Sequence, residues 1–466
     1  MNGRYLITPD PMPQLDLPVV SLRTERNALE CIGEAPHGEY DQCNCDCACA
    51  LSSQISVPTL TTPVSYSLEL TPVCPNRCPG CGNVFVNRNS PHPHREIMSL
   101  EQWKTILAKL LPWADFIKLT GGEPTLYPDF YLLLDALEES SIPFVLLTSG
   151  RWRQHQTLLT RLKEASNFKG LLISLHGPNA QTHEAFTASV GSFQEASDAI
   201  RAAAELGLEV AASVVMVRPN LGRLEATANR AFELGANQVV FARHIGQHIP
   251  GLTLSNEELR AAINEVRMLE GKRLRIKFGN CIPQCFEPSS SVGCSAGQTF
   301  CTIDPWGNLR PCNHSRLVGG NLLSQSIEEV WHSDTMWIWR QMISPECSNC
   351  QAFTQCRGGC RASAMENAGR DPLMLPNSHF EVPLKSKTQL NLYAYAVPHS
   401  RYRVRYESSG PVLIRHGRAI SISPSELQML DRVNGNYTLQ QIREELGDQA
   451  LYLIGGLYKQ CFIALQ

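Results

Sequence analysis

The stretch Tyr66-Ser67-Leu68-Glu69-Leu70-Thr71-Pro72-Val73-Cys74-Pro75-Asn76-Arg77-Cys78-Pro79-Gly80-Cys81 joins a short apolar run to three cysteines on one loop. Tyr66 to Leu70 reads as a strand, because alternate side chains of an extended chain face opposite sides of a sheet. A CxxxCxxC triplet can supply three thiolates to a four-iron cubane, whereas electron-transfer ferredoxins close all four positions with cysteine. Stopping at three leaves one iron for an exogenous molecule. Zinc sites usually pair CxxC halves, so this spacing weighs against zinc.

Working outward, five more strand candidates follow: Phe116 to Thr120, Phe144 to Thr148, Leu171 to Leu175, Val210 to Val217 and Val239 to Ala242. Helical periodicity fills the gaps, at Leu100 to Leu111 after a Ser99 cap, Phe130 to Glu138, Gln154 to Ala165, Phe193 to Leu206, Leu224 to Leu234 and Asn256 to Leu269. Strands that alternate with helices imply an α/β fold with a parallel sheet. Ligands of such sheets bind at the carboxyl ends of the strands. The cysteine loop follows the first strand, Gly121-Gly122-Glu123-Pro124 the second, Thr148-Ser149-Gly150 the third and Ile173-Ser174-Leu175-His176-Gly177 the fourth.

These residues resemble the radical S-adenosylmethionine superfamily. The resemblance implies a partial (β/α)6 TIM-type barrel, a 4Fe-4S cluster on Cys74, Cys78 and Cys81, and S-adenosylmethionine cleaved reductively to a 5'-deoxyadenosyl radical. It also implies cofactor contacts from Gly121, Gly122, Glu123, Pro124 and Ser149. Ser174 and Ser213, at strand ends, are candidates for bonding the ribose or the methionine carboxylate. His176 stands where many peptide-modifying relatives carry Asp and is the candidate proton acceptor, with a structural histidine as the alternative. The residue before the third cysteine, often aromatic in that family, is Gly80 here.

A second constellation lies between Cys294 and Cys360. Cys294-x12-Gly307-x4-Cys312, then Cys347-x2-Cys350-x5-Cys356-x3-Cys360, resembles the SPASM extension, which holds auxiliary iron-sulfur clusters. By that resemblance Cys294, Cys301, Cys312 and Cys360 ligate one cluster, and Cys347, Cys350 and Cys356 a second. The fourth ligand of the second stays open among Asp371, His379, Cys281 and Cys285, or an open site. Near the N-terminus Cys43, Cys45, Cys47 and Cys49 alternate, which in a strand puts all four thiols on one face.

The 466 residues predict two to four domains, and 43% hydrophobic content can fill a large core. We expect an N-terminal arm at 1–62, the barrel at 63–275, the SPASM region at 276–384 and a β-β-β-α-α-α element at 385–466. The last resembles the winged-helix (PqqD-like) recognition element of ribosomal-peptide maturases. With 41 Lys and Arg against 44 Asp and Glu, no global positive field favours nucleic acid. No apolar run approaches the ~20 residues of a transmembrane helix, and Met1 to Gln14 lacks an apolar signal core, so a cytoplasmic protein is expected.

The resemblances together imply a maturase that crosslinks, rearranges or excises part of a ribosomally made precursor peptide. A leader would add as a strand to the C-terminal element, with Arg401, Arg403 and Arg405 attracting acidic leader side chains. A ferredoxin or flavodoxin would deliver the electron. The alternatives are a sulfatase-type formylglycine maturase and an iron-sulfur DNA-binding regulator.

Overall fold

The computed structural model describes residues 19–22, 59–86, 95–152, 155–270, 275–288, 293–347, 349–375 and 390–466. Cys43, Cys45, Cys47, Cys49 and His379 lie outside the described residues. The chain divides into two units, one of residues 44–383 with 402–424, the other of 1–43, 384–401 and 425–466.

In chain order, β1 is Val19–Leu22, followed by β2 (Ser65–Glu69), α1 (Leu100–Leu110), β3 (Phe116–Thr120), α2 (Phe130–Ser140), β4 (Phe144–Thr148), α3 (His155–Glu164), β5 (Phe168–Ser174), α4 (Ala180–Thr187), α5 (Ser192–Glu205), β6 (Val210–Met216), α6 (Leu224–Glu233), β7 (Gln238–Arg243), α7 (Asn256–Glu270) and β8 (Ile276–Phe278). Strands β2 to β8 run parallel and are neighbours in sequence order. Alternation decides which side chains meet the helices. Tyr66, Leu68, Ile117, Leu119, Phe144, Leu146, Leu171 and Ile173 join the main core with Trp103, Ile106 and Leu110 of α1. Ser67, Lys118, Leu172, Ser174 and Ser213 take the opposite, interior face of the barrel. Helix α1 starts where expected, because Ser99 and Gln102 form a reciprocal capping box.

The sheet does not stop at β2. β9 (Phe300–Ile303) pairs with it in parallel, and β10 (Asn308–Arg310) and β11 (Gly320–Asn321) continue antiparallel, giving ten strands in the order β11-β10-β9-β2-β3-β4-β5-β6-β7-β8. Short helices α8 (Ile327–Trp331), α9 (Asp334–Gln341), α10 (Phe353–Cys356) and α11 (Arg361–Glu366) follow.

Towards the C-terminus come β12 (Leu390–Tyr393), β13 (Pro398–Ser400), β14 (Arg403–Glu407), β15 (Gly410–Arg415), β16 (Arg418–Ser421), α12 (Pro424–Met429), α13 (Leu439–Leu446), α14 (Asp448–Lys459) and β17 (Ile463–Leu465). The expected single element at 385–466 is divided between the two units. The sheet β14-β15-β16 belongs with the barrel, where Val412, Ile414 and Ala419 pack on Leu60 and Val64. The helices α13 and α14 belong to the other unit, which also holds the antiparallel pairs β13-β17 and β1-β12. Arg401 does not extend β14, because its N–H is held by Phe462 O at 2.9 Å. Arg403 pairs with Asp115, and Arg405 with Glu407 and Thr62 O, so these two guanidiniums are committed within the first unit.

Among the described residues, no helix is long and apolar enough to cross a membrane.

Candidate functional site

The loop 70–81 is held by the end of β3. Leu70 N–H donates to Thr120 O, Gly122 N–H to Thr71 O at 2.7 Å and Glu123 N–H to Val73 O at 2.7 Å. This explains the glycine pair. A Cβ on Gly122 would stand 2.2 Å from Val73 O, and one on Gly121, whose φ is +133°, 2.7 Å from Thr71 O. The glycines therefore let the segment leading into Cys74 lie directly against the second strand loop.

Glu123 then ties the second loop to the third. Its carboxylate, wholly buried, accepts from Thr148 Oγ1 at 2.8 Å, Ser149 N at 2.8 Å, Ser149 Oγ at 2.5 Å and Thr125 Oγ1 at 2.9 Å. Burial raises its pKa, and the Ser149 and Thr148 hydrogen bonds oppose that rise. Pro124 opens a single 3-10 turn behind it. Arg151, which sequence reasoning did not single out, closes the ring of loops. It donates to Pro75 O at 3.2 Å and Asn76 Oδ1 at 3.0 Å in the cysteine loop, and pairs with Glu195.

Within this frame the thiols of Cys74, Cys78 and Cys81 lie within electrostatic reach of one another. Burial pushes Cys74 up to about 12 and raises Cys78 and Cys81, with the neighbouring thiols adding to the shift of Cys74 and Cys78. Shielded thiols keep their protons until a cationic centre replaces them, so this donor set fits a cluster that takes thiolates. Gly80 is pressed by a neighbour, since a Cβ there would meet His244 at 3.0 Å and Leu252 at 2.8 Å. The imidazole of His244 thus fills the space an aromatic residue at 80 would need.

Ser174, which ends β5, and Ser213, in the middle of β6, are register partners, half-buried on the interior face. Among the described residues neither hydroxyl is engaged by another protein group. His176 has a different part. It is buried, its Nδ1 accepts Val215 N–H at 3.2 Å, its carbonyl accepts Asn220 Nδ2 at 2.9 Å, and its N–H donates to His183 Nδ1 at 3.0 Å. Its ring stacks on His183 and packs edge-on against Phe186. Burial holds its pKa well below the usual histidine value, with His183 adding to that. Of the two expected roles, these bonds favour a neutral structural residue that joins β5 to β6.

The later cysteines fall into two groups. In the first, the Cys281 thiol lies beside those of Cys294 and Cys360, and Cys312 lies within electrostatic reach of the latter two. Cys281, Cys312 and Cys360 belong to one buried cluster with Trp339 and Ala296, and half-buried Cys294 packs against it. Cys301 does not join them. It sits mid-strand in β9, in register with Tyr66, fully buried in the main core. Of the expected set of Cys294, Cys301, Cys312 and Cys360, Cys301 thus stands apart in this structure, because strand alternation turns it with Ile303 into the core. The Arg361 guanidinium, beside Cys360 and also buried, has no hydrogen-bond partner on any of its three nitrogens among the described residues. Orphaned buried donors next to thiolates fit an anionic cluster with sulfur acceptors.

In the second group Cys285, Cys347, Cys350 and Cys356 line one small cavity, partly open to solvent, with Phe353 and Met374. Burial pushes Cys347 up to about 12, and the Cys356, Cys350 and Cys285 sulfurs add to that rise. Among the described residues no three His, Cys, Asp or Glu side chains converge on a point suited to a single metal ion. Asp371, a candidate ligand from sequence, is already committed. It accepts from Arg243 Nη1 at 3.1 Å, Cys360 N at 2.7 Å and Leu373 N at 3.1 Å. Arg243 in turn donates to Cys281 O at 3.0 Å.

Residues 68–231 match the Radical SAM superfamily and residues 294–356 the SPASM iron-sulfur cluster-binding domain. Mycofactocin maturase MftC of Mycobacterium ulcerans is 29% identical over 325 residues, covering 65% of this chain and 84% of that protein. PqqA peptide cyclase of Xanthomonas campestris is 28% identical over 330 residues, covering 67% and 85%. The fold is that of Streptococcus suis SuiB bound to S-adenosylmethionine, with a TM-score of 0.56, 17% identity, and 67% and 77% of the two chains covered.

Proposed function

We propose that this chain, which carries a radical S-adenosylmethionine domain and a SPASM domain, is a maturase of ribosomally made precursor peptides. The observation that carries the reading is the meeting of three thiols with the Glu123 network on one rim of the barrel, in a chain whose relatives include a mycofactocin maturase and a peptide cyclase. When bound, a 4Fe-4S cluster and S-adenosylmethionine supply a 5'-deoxyadenosyl radical, and one or two auxiliary clusters supply a path for an electron.

The chain's own residues perform the rest. Cys74, Cys78 and Cys81 hold the first cluster. The Gly121–Pro124 turn and Ser149 set the backbone that meets the methionine end of the cofactor, with Glu123 fixing both loops. Ser174 and Ser213 offer hydroxyls to the ribose or carboxylate from the interior face. The thiols between Cys281 and Cys360 hold the auxiliary centres. The substrate is a precursor peptide with a leader, and the outcome is a crosslink, rearrangement or excision. The leader main chain adds along the outer edge of β14, where Val404 and Tyr406 are exposed. A ferredoxin or flavodoxin supplies the electron in the cytoplasm.

The test is anaerobic incubation of the reconstituted protein with dithionite and S-adenosylmethionine, followed by mass spectrometry of a co-incubated precursor. Release of 5'-deoxyadenosine and a mass loss of hydrogen or of a peptide fragment are expected. A formylglycine product would favour the sulfatase-type alternative. No 5'-deoxyadenosine at all would favour the iron-sulfur regulator.

A further inference from the structure

We propose that Cys285 is the fourth ligand of the second auxiliary cluster, so that the short bridge Cys281-Ile282-Pro283-Gln284-Cys285 gives one thiolate to each auxiliary centre. This rests on the reading of the SPASM region as cluster-binding. The SPASM resemblance leads one to look for a late cysteine after Cys360, but the sequence has none until Cys461.

Three observations place Cys285 in that role. It lines the same cavity as Cys347, Cys350 and Cys356. The bridge is tied to the group by Gln284, whose N–H donates to Cys356 Sγ at 3.4 Å. The turn after the bridge is fixed by Phe286 and Glu287 N–H groups, both donating to Pro283 O. At the other end, the Cys281 carbonyl is pinned by Arg243, whose carboxylate partner Asp371 also receives the Cys360 N–H. One buried ion pair therefore positions Cys281 and Cys360 together, and it removes Asp371 from the possible ligands of the second centre.

Two consequences follow. Each auxiliary centre has four cysteines, so neither leaves an iron open to a substrate thiolate, and their work is electron transfer. Five residues span at most ~14 Å between their outer Cα atoms, so the two centres are close neighbours joined by covalent bonds.

The experiment removes the first site by Cys74→Ala, Cys78→Ala and Cys81→Ala together, and counts iron and sulfide in the anaerobically reconstituted full chain. About eight irons, as two four-iron clusters, are expected, with two sets of electron paramagnetic resonance signals on reduction. Adding Cys285→Ala should bring iron to about four, or turn one cluster into a three-iron form, while the other signal is unchanged. Adding Cys281→Ala should remove the other signal instead, and Cys301→Ala should leave both. Retention of both signals in Cys285→Ala overturns the assignment. If that variant does not fold, Cys285→Ser is read by its g-values: altered values support ligation, and an unchanged spectrum refutes it. Absence of iron from the triple variant itself would overturn the cluster reading of the SPASM region, not the choice of Cys285.

Discussion

Asp371→Asn isolates a structural carboxylate from a metal ligand. Oδ1 of Asp371 accepts from Arg243 Nη1 and Leu373 N–H, and Oδ2 from Arg243 Nη2 and Cys360 N–H. Asparagine keeps one oxygen and turns the other into a donor, so two donors must face an amide N–H2 whichever way it flips. Hydrogen bonds to charged groups contribute about 1.5–3 kcal/mol each, and loss of one partner of a buried ion pair costs about 3–5 kcal/mol. Asp371 is fully buried and Arg243 is 4% exposed, so solvent screening does little to reduce this. A loss of about 3–5 kcal/mol is expected. With a urea dependence of about 3 kcal/mol per molar, the midpoint should fall by ~1–1.7 M. Anaerobic urea unfolding followed by tryptophan fluorescence reads it directly. Replacing both partners, as Arg243→Met with Asp371→Leu, should recover much of the loss, because no charge is then left unpaired. The second auxiliary signal should persist in Asp371→Asn. An unchanged midpoint, or selective loss of that signal with the fold intact, would refute the argument and make Asp371 a ligand.

Gly122→Ala puts a Cβ against Val73 backbone, which has no flexible end to yield, so a loss on the order of 3 kcal/mol and poor iron loading at Cys74, Cys78 and Cys81 are expected from unfolding and iron analysis. Glu123→Gln sets an amide donor against Ser149 or Thr148 donors and should cost roughly 3 kcal/mol in unfolding and weaken S-adenosylmethionine binding in equilibrium dialysis. His183, lowered by burial to about 4, is neutral in the folded chain, so its share of stability is present above pH 6.5 and is lost as pH falls towards 4. That share is up to about 3 kcal/mol, and His183→Gln should flatten the fall in urea midpoint between pH 7 and pH 5.

Periodicity located the parallel strands well, because each carries several apolar residues facing a helix. Phe116–Thr120 and Phe144–Thr148 agree with expectation to the residue, and Tyr66 to Leu70 differs from β2 by one position. Helix α4 escaped notice because Ala180–Thr187 is short and its buried face is made of Thr182, His183, Phe186 and Thr187, only one of them strongly apolar. β8 is three residues long, below what alternation can reveal. The first cysteine loop was legible because its spacing is local. The later groups were legible only in part, since Cys281 lies near Cys360, and Cys285 near Cys347, Cys350 and Cys356, dozens of residues away, a property of the fold and not of spacing. Cys301 is the complementary case: it stands near cysteines in sequence, while its strand aims it into the main core. Arg151 and Arg243 carry no motif at all, and only their burial beside carbonyls and carboxylates reveals them.

The strand Phe300–Ile303, zipped in parallel along Ser65–Leu68, means that the cysteine-rich region is no detachable appendage. Cutting the gene before it would leave the backbone groups of Ser65–Leu68 unpaired at a raw sheet margin, inviting aggregation. It also means that the span between the first cysteine loop and the thiol at 312 is set by a rigid ladder of amide bonds, so turnover has no hinge there with which to throttle the current.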